Sequence, residues 1–217
     1  MPRLLHLDSS ADSVSSRSRA ITRTFADAWA AAGPDNTVVY RDLHANPLPH
    51  LSDAALHWPE RLRAEGSTVS AEDEALQNEI LEELLSADVL LVGAPLYNYS
   101  LPSTLKAWVD YIHVPGITTP FDVPSQPLAG KPAVVVSSRG GSYDEGTPTE
   151  GWDHAVPVLR IILGEALGMD VSVITTSLTL AEVIPARVDD IPRAERELAQ
   201  AHTDAAALAT RLGTAAV

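Results

Sequence analysis

The chain has 217 residues, of which 45% are hydrophobic and 20% charged, so it can bury a sizeable core and we expect a single domain over 1–217. Its 15 lysines and arginines against 29 aspartates and glutamates give a net charge of −14, which disfavours nucleic acid and anionic membrane surfaces as partners. The chain has no cysteine, which excludes disulfides, thiolate metal sites and cysteine nucleophiles. We find no signal peptide and no apolar run of about 18 residues, so we expect a cytoplasmic protein.

Short apolar runs alternate with segments of helical periodicity along the chain. In chain order these predict strand 3–8, helix 17–32, strand 37–41, helix 72–86, strand 88–94, helix 103–113, strand 132–137, helix 153–167, strand 170–175 and helix 193–212. The proline-containing segments 45–70 and 115–127 predict loops or broken helix.

Five strands that alternate with helices predict a doubly wound α/β fold with a parallel sheet and right-handed crossovers. The third strand, DVLLVGA at 88–94, is apolar on both faces, as expected for the centre of such a sheet. Ligands of these folds bind at the carboxyl ends of the strands, near the point where strand order reverses. The segments after strands one, three and four are therefore the candidates for a site.

The segment after the first strand, SSADSVSSRS at 9–18, contains six serines and opens a helix. A helix N-terminus attracts anions, and serine hydroxyls and Arg17 can donate further hydrogen bonds. The fingerprints of nucleoside triphosphate and ordinary dinucleotide sites are absent from the sequence. A loop rich in serine or threonine is what flavodoxin-like proteins use for the phosphate of flavin mononucleotide (FMN). The alternative is a cluster of helix-capping serines in a solvated loop.

Two further segments contain groups that suit a planar ring. Tyr97, Asn98 and Tyr99 follow the third strand and can stack on a ring or bond its edge, although the tyrosines can equally cover the core. Gly140 and Gly141 follow the fourth strand, where backbone amides could approach a ring carbonyl and offset negative charge that develops on reduction. The alternative for this pair is a plain turn. A phosphate loop, a ring loop and a glycine loop at neighbouring strand ends together predict a mononucleotide site.

Five motifs resemble those of the FMN-dependent NADH-azoreductases, or NAD(P)H:quinone oxidoreductases, of the flavodoxin-like superfamily. They are L-x-L-x-S-S at 5–10, A-P-x-Y-N at 94–98, L-K-x-x-x-D at 105–110, G-[IV]-T at 116–118 and S-R-G-G at 138–141. The resemblance covers nearly the whole chain. It implies a three-layer α/β/α fold with strand order 2-1-3-4-5, non-covalent FMN, and a homodimer with each flavin at the subunit interface.

The resemblance also implies roles for twelve residues. The phosphate is held by Ser10, Ser16, Arg17 and Ser18. The isoalloxazine ring lies along Leu96, Tyr97, Asn98 and Tyr99. Its pyrimidine end faces Ser138, Arg139, Gly140 and Gly141. The chain departs from the family at 96–103, where LYNYSLPS replaces a segment that often contains MYNF and NIS, and this difference bears on substrate choice more than on flavin binding.

We expect two-electron, ping-pong transfer of hydride from NADH or NADPH through FMN to a quinone or an azo compound, with no side chain required as acid or base. The seven histidines show no H-E-x-x-H spacing, so we expect no metal site. Two alternatives stay open: a flavodoxin-type carrier of single electrons between proteins, and an FMN-binding regulatory module without turnover. NADH and NADPH are not distinguished by any motif.

Overall fold

A computed structural model describes residues 1–215 of the chain. Its strands are β1 (Arg3–Asp8), β2 (Thr37–Asp42), β3 (Val89–Gly93), β4 (Pro132–Ser138) and β5 (Asp170–Thr176). All neighbouring strands are parallel, and they form one sheet in the order β2-β1-β3-β4-β5, which confirms the predicted order. The chain leaves β1 for β2 on one side and returns to β3 on the other, so strand order reverses between β1 and β3.

The helices are α1 (Arg17–Ala32), α2 (Ala71–Ser86), α3 (Ser103–Ile112), α4 (Ala155–Leu159) and α5 (Ile191–Ala215). Helices α1 and α5 cover one face of the sheet, while α2, α3 and α4 cover the other, which gives the expected three layers. Short 3₁₀ turns lie at Ala54–His57, Glu60–Leu62 and Pro185–Asp190. Within residues 1–215, no helix combines the length and apolarity needed to cross a membrane.

The predicted helix 153–167 is only partly α-helical. After α4 the chain continues as a π-helix over Arg160–Ala166, where the Leu167 amide donates to the Ile162 carbonyl five residues back at 3.0 Å. Buried leucines four residues apart, at 159, 163 and 167, form an apolar face that serves either winding, so periodicity alone could not distinguish them. The other element ends agree with the predicted ones or differ by at most three residues.

Residue size sets how α1 and α5 pack. The large side chains Phe25 and Trp29 of α1 are fully buried on this face of the sheet. Helix α5 faces them with buried small residues at four-residue intervals, namely Ala201, Ala205, Ala209 and Gly213. A Cβ atom at Gly213 would lie 2.8 Å from that of Ala32, so glycine permits the close approach of the two helices.

Candidate functional site

A cleft of about 450 Å³ opens at the carboxyl edge of the sheet. Its walls come from four segments, which follow β1, β3, β4 and β5. The lining residues are Ser10, Asp12, Ser15, Ser16, Arg17, Pro95, Leu96, Tyr97, Ser138, Gly140, Thr179, Leu180, Glu182 and Val183. All three segments singled out in the sequence therefore face one cleft, and a fourth segment joins them.

The segment between β1 and α1, residues 9–18, is here called the serine loop. Its shape depends on Asp12, whose Oδ1 atom accepts hydrogen bonds of 2.8 Å from the amides of Val14 and Ser15. Hydrogen bonds from Ser15 also lower the pKa of Asp12, so this carboxylate stays charged. Ser16 caps α1 by accepting a bond of 3.3 Å from the Arg19 amide.

The serine loop presents donors to the cleft. Ser10 and Ser16 line it with their hydroxyls together with Arg17, whose side chain is 33% exposed, whereas the Ser15 hydroxyl donates to Asp12 Oδ2. Ser16 caps the Arg19 amide, while the amides of Arg17 and Ser18 have no partner within the helix and point out of its N-terminus. Ser18 is buried, and its Oγ lies 3.1 Å from Ser16 Oγ, so it contacts the cleft residue Ser16 rather than the cleft itself. This donor set fits a phosphate monoester.

The segment after β3 forms a tight turn. The amides and carbonyls of Tyr97 and Ser100 exchange two hydrogen bonds of 3.0 Å. Asn98 and Tyr99 between them have φ values of 47° and 69°, a left-handed conformation that asparagine tolerates well and tyrosine rarely adopts. The Tyr97 hydroxyl lies 3.1 Å from Ser10 Oγ and accepts a bond of 3.0 Å from the Ala11 amide. Tyr97 thus ties this turn to the serine loop.

Asn98 and Tyr99 occupy the exposed tip of the turn and are not among the cleft-lining residues. The Tyr99 ring packs edge-on against Trp152, with ring centroids 5.3 Å apart. Its carbonyl accepts a hydrogen bond of 2.9 Å from the His154 amide. The structure therefore places Leu96 and Tyr97 on the cleft wall and the next two residues beyond it.

After β4, Ser138 and Gly140 line the cleft. A Cβ atom on Gly140 would lie 2.8 Å from Leu180 Cδ1, so glycine lets the following segment pack closely here. The Arg139 side chain points elsewhere, since it donates to Ser177 Oγ at 2.9 Å and lies 3.4 Å from Asp153. Gly141 is also outside the lining, and its carbonyl accepts a bond of 3.3 Å from the Leu178 amide.

The fourth segment follows β5 and is here called the β5 loop, residues 177–184. Sequence reasoning missed Thr179, Leu180, Glu182 and Val183 because it considered only the ends of strands one, three and four. The sequence did contain a signal for these residues, because the fifth predicted strand must end at the same edge of a parallel sheet as the other four. Glu182 Oε2 lies 3.0 Å from Arg17 Nη2, so an acidic side chain pairs with the cation of the serine loop.

Behind the cleft, Asp8 ends β1 in a buried position. It accepts hydrogen bonds from Thr22 Oγ1 at 2.9 Å and from the Tyr40 hydroxyl at 3.2 Å, and His6 Nε2 lies 3.4 Å away. Burial raises the pKa of Asp8, but the neighbouring His6 and Thr22 outweigh it and bring the pKa below its ordinary value. A side chain at Gly93 would collide with this carboxylate, which explains the glycine at the end of β3.

Comparisons with known proteins agree with this fold. The model of a family described as having a flavodoxin-like fold matches residues 2–202. A relative from Kineococcus radiotolerans is 61% identical over 185 residues, which cover 85% of this chain and 87% of the relative. Another from Streptomyces avermitilis is 43% identical over 222 residues, which cover 98% of this chain and 97% of the relative. Both are named FMN-dependent NADH:quinone oxidoreductase.

Solved structures show the same fold at low sequence identity. An azoreductase from Bacillus anthracis is 22% identical, with a TM-score of 0.79 over 97% of this chain and 100% of that one. An FMN-dependent NADH-azoreductase from the same species, solved in complex with FMN, is 19% identical with a TM-score of 0.78 over 97% of this chain and 99% of that one. The chain belongs to the flavodoxin-like family that includes the FMN-dependent NADH:quinone oxidoreductases.

Proposed function

We propose that this protein is an FMN-dependent oxidoreductase that transfers two electrons from NADH to a quinone or an azo compound. One observation carries the proposal: the serine loop, the tyrosine-containing turn and Ser138 and Gly140 after β4 border one cleft of about 450 Å³ at the point where strand order reverses. That volume lies within the range of about 300–1,000 Å³ common for small-molecule sites. The names of relatives at 61% and 43% identity support the activity and the choice of NADH.

In this proposal the serine loop binds the phosphate of FMN. Ser10, Ser16 and Arg17 donate to it from the cleft wall, and Ser18 orients Ser16 through the contact between their hydroxyls. The open N-terminus of α1 adds amide donors and the positive end of the helix dipole. These groups provide locally the positive potential that a chain with a net charge of −14 lacks as a whole.

The other two segments hold the ring. Leu96 and Tyr97 lie along one edge of the isoalloxazine, and Asn98 and Tyr99 follow where the turn leaves the cleft. The segment 138–141 faces the pyrimidine end, where the amides of Gly140 and Gly141 offset negative charge and Arg139 braces the segment from behind. When bound, FMN supplies the hydride chemistry, while the protein supplies orientation and electrostatics. The proposal assigns no side chain as acid or base and no metal.

We further propose that the protein is a cytoplasmic homodimer. The exposed rings of Trp58 and Phe121 support a second copy as partner, because their centroids lie 5.3 Å apart and large apolar groups paired at a surface favour protein contacts. A cytoplasmic location agrees with NADH, an intracellular metabolite, as the electron donor. Light scattering of the purified protein should give about twice the 23.1 kDa chain mass, and a monomer would contradict the dimer.

Anaerobic absorption spectroscopy of the FMN-loaded protein tests the activity. We expect NADH to bleach the flavin band fully, and a soluble benzoquinone to restore it. NADPH in a parallel titration measures the nucleotide preference. Failure of both nucleotides to bleach bound FMN contradicts the enzyme. Reduction by dithionite in two separate one-electron steps would then favour the electron carrier, and a single step would favour the binding module.

A further inference from the structure

The backbone of the serine loop is fixed from behind, on the side opposite the cleft. The loop contains neither glycine nor proline, so its course depends on the partners of its polar groups. The Ser10 carbonyl accepts two hydrogen bonds from one side chain, from Arg19 Nε at 3.2 Å and from Arg19 Nη2 at 2.7 Å. The amide and hydroxyl on either side of this carbonyl are those that meet Tyr97. The Arg19 contact therefore sets the orientation of the peptide that opens the loop.

Arg19 uses its whole donor capacity within the protein. A guanidinium has five N–H donors. Besides the two bonds to Ser10, Nη1 donates to the Tyr40 hydroxyl at 3.1 Å and to Asp42 Oδ2 at 2.7 Å, and Nη2 donates to Asp42 Oδ1 at 2.8 Å. The side chain is only 11% exposed and does not line the cleft. A phosphate in the cleft would thus meet no free donor of Arg19.

Asp42 anchors this arginine to the sheet. It ends β2, and its Oδ1 also accepts bonds from the amides of His44 at 2.9 Å and Ala45 at 3.0 Å. The hydrogen bonds from Arg19 hold the pKa of Asp42 well below its usual range, so the pair stays charged. The two-pronged contact between a planar guanidinium and a carboxylate has a defined direction, which a lysine ammonium cannot reproduce while also bridging to Ser10.

We propose that Arg19 is a positioning residue for the FMN phosphate: it fixes the Ser10 peptide, and thereby aims the serine-loop donors, without touching the phosphate itself. The inference rests on the proposed function, because it takes the cleft as a flavin site. Two arginines in one turn of α1 thus have different roles. Arg17 lines the cleft and contacts the phosphate, and Arg19 holds the serine loop from behind. A positioning role predicts selectivity, since riboflavin lacks the phosphate and should not depend on Arg19.

Equilibrium titration of the flavin-free protein with FMN and with riboflavin, followed by flavin fluorescence, tests this role. We expect Arg19→Lys, which keeps the charge, to raise the Kd for FMN by about 10-fold, because a charge-assisted contact is lost. The Kd for riboflavin should change by less than about 3-fold, since it makes no phosphate contact. The matched control is Arg23→Lys, the same change at an exposed position of α1, and it should leave both constants unchanged.

An unchanged Kd for FMN in Arg19→Lys, or an equal loss for both flavins, overturns the positioning role. If circular dichroism shows that Arg19→Lys does not fold, Asp42→Asn replaces it. That variant keeps Arg19 but removes its charged anchor, so FMN binding should weaken by about 3-fold or more and riboflavin binding should not. Equal constants for wild type and Asp42→Asn then overturn the role. Failure of the proposed function is separate: it appears as wild-type protein that binds neither flavin.

Discussion

Two walls of the cleft are built in different ways. The serine loop is shaped by its own Asp12. The Tyr97 hydroxyl ties it to the turn after β3, and the fully bonded Arg19, whose side chain is 11% exposed, ties it to Asp42 at the end of β2. The backbone of the β5 loop is bonded to residues 139–141 by the amides of Leu178, Thr179 and Leu180. Its side chains are held less firmly, since the link across the cleft is the Arg17–Glu182 pair, whose side chains are 33% and 54% exposed. Exposed ion pairs contribute little stability.

The two walls therefore have different roles in the proposed site. A wall whose polar groups already have partners is pre-organised, so binding there costs little ordering entropy. The opposite wall contains Leu178 at a φ of 61°, an uncommon conformation for a residue with a Cβ, and exposed side chains at Leu180 and Val183. We infer that the serine loop sets phosphate affinity and that the exposed side chains of the β5 loop adapt to what occupies the cleft.

The largest expected effect concerns Asp42, which anchors Arg19 behind the serine loop. Asp42→Asn should lower the free energy of unfolding at pH 7 by about 2 kcal/mol, because it weakens charged hydrogen bonds. The folded-state pKa of Asp42 is depressed below the unfolded value of about 3.9, so its stabilisation is complete above that pH and is lost as the pH falls towards the folded pKa. Urea unfolding at pH 7, 5 and 3 should therefore show the difference from wild type shrinking only at pH 3.

The control for that series is Asp27→Asn, at an exposed position of α1, which should match wild type at each pH. A destabilisation of Asp42→Asn that stays the same from pH 7 to pH 3 would contradict the role of its charge.

A smaller effect is expected at the contact between Tyr97 and the serine loop. Tyr97→Phe removes the hydroxyl that contacts Ser10 Oγ and the Ala11 amide. Losing neutral hydrogen bonds worth about 1 kcal/mol should weaken FMN binding by about 5-fold. Isothermal titration measures the change, with Tyr143→Phe as the control outside the cleft lining. Equal affinity in the two variants would show that the hydroxyl does not brace the serine loop.

The smallest effect concerns the β5 loop and is an increase in FMN affinity. Glu182→Gln removes a negative charge beside Arg17 and should tighten FMN binding by about 2- to 5-fold at low salt, less at high salt. Glu72→Gln makes the same change of charge at an exposed position of α2, outside the cleft lining, and controls for the overall field. If Glu182→Gln instead weakens binding, the β5 loop is a fixed part of the site and the contrast between the walls is wrong.

Sequence patterns determined the strands, their parallel direction and the three segments that face the cleft, and the resemblance to a known family implied the strand order. Apolar runs and helical spacing are local properties, and the carboxyl ends of parallel strands always share one edge. The same patterns singled out the serine run and the A-P-x-Y-N and S-R-G-G motifs, each of which contributes residues to the cleft wall. The π-helical winding of Arg160–Ala166 escaped them because its buried leucines satisfy an α-helix equally well.

Tertiary structure decided which side chains of those segments face the cleft. Arg17 and Arg19 are alike in sequence, but Arg19 meets Asp42, 23 residues away, while Arg17 meets Glu182, 165 residues away. Arg139 likewise turns from the cleft towards Asp153 and Ser177. The directions of these side chains depend on partners that only the folded sheet brings together. They also depend on loop dihedral angles, which sequence periodicity does not encode. The location of the site therefore follows from local sequence patterns, whereas the directions of its side chains depend on the whole fold.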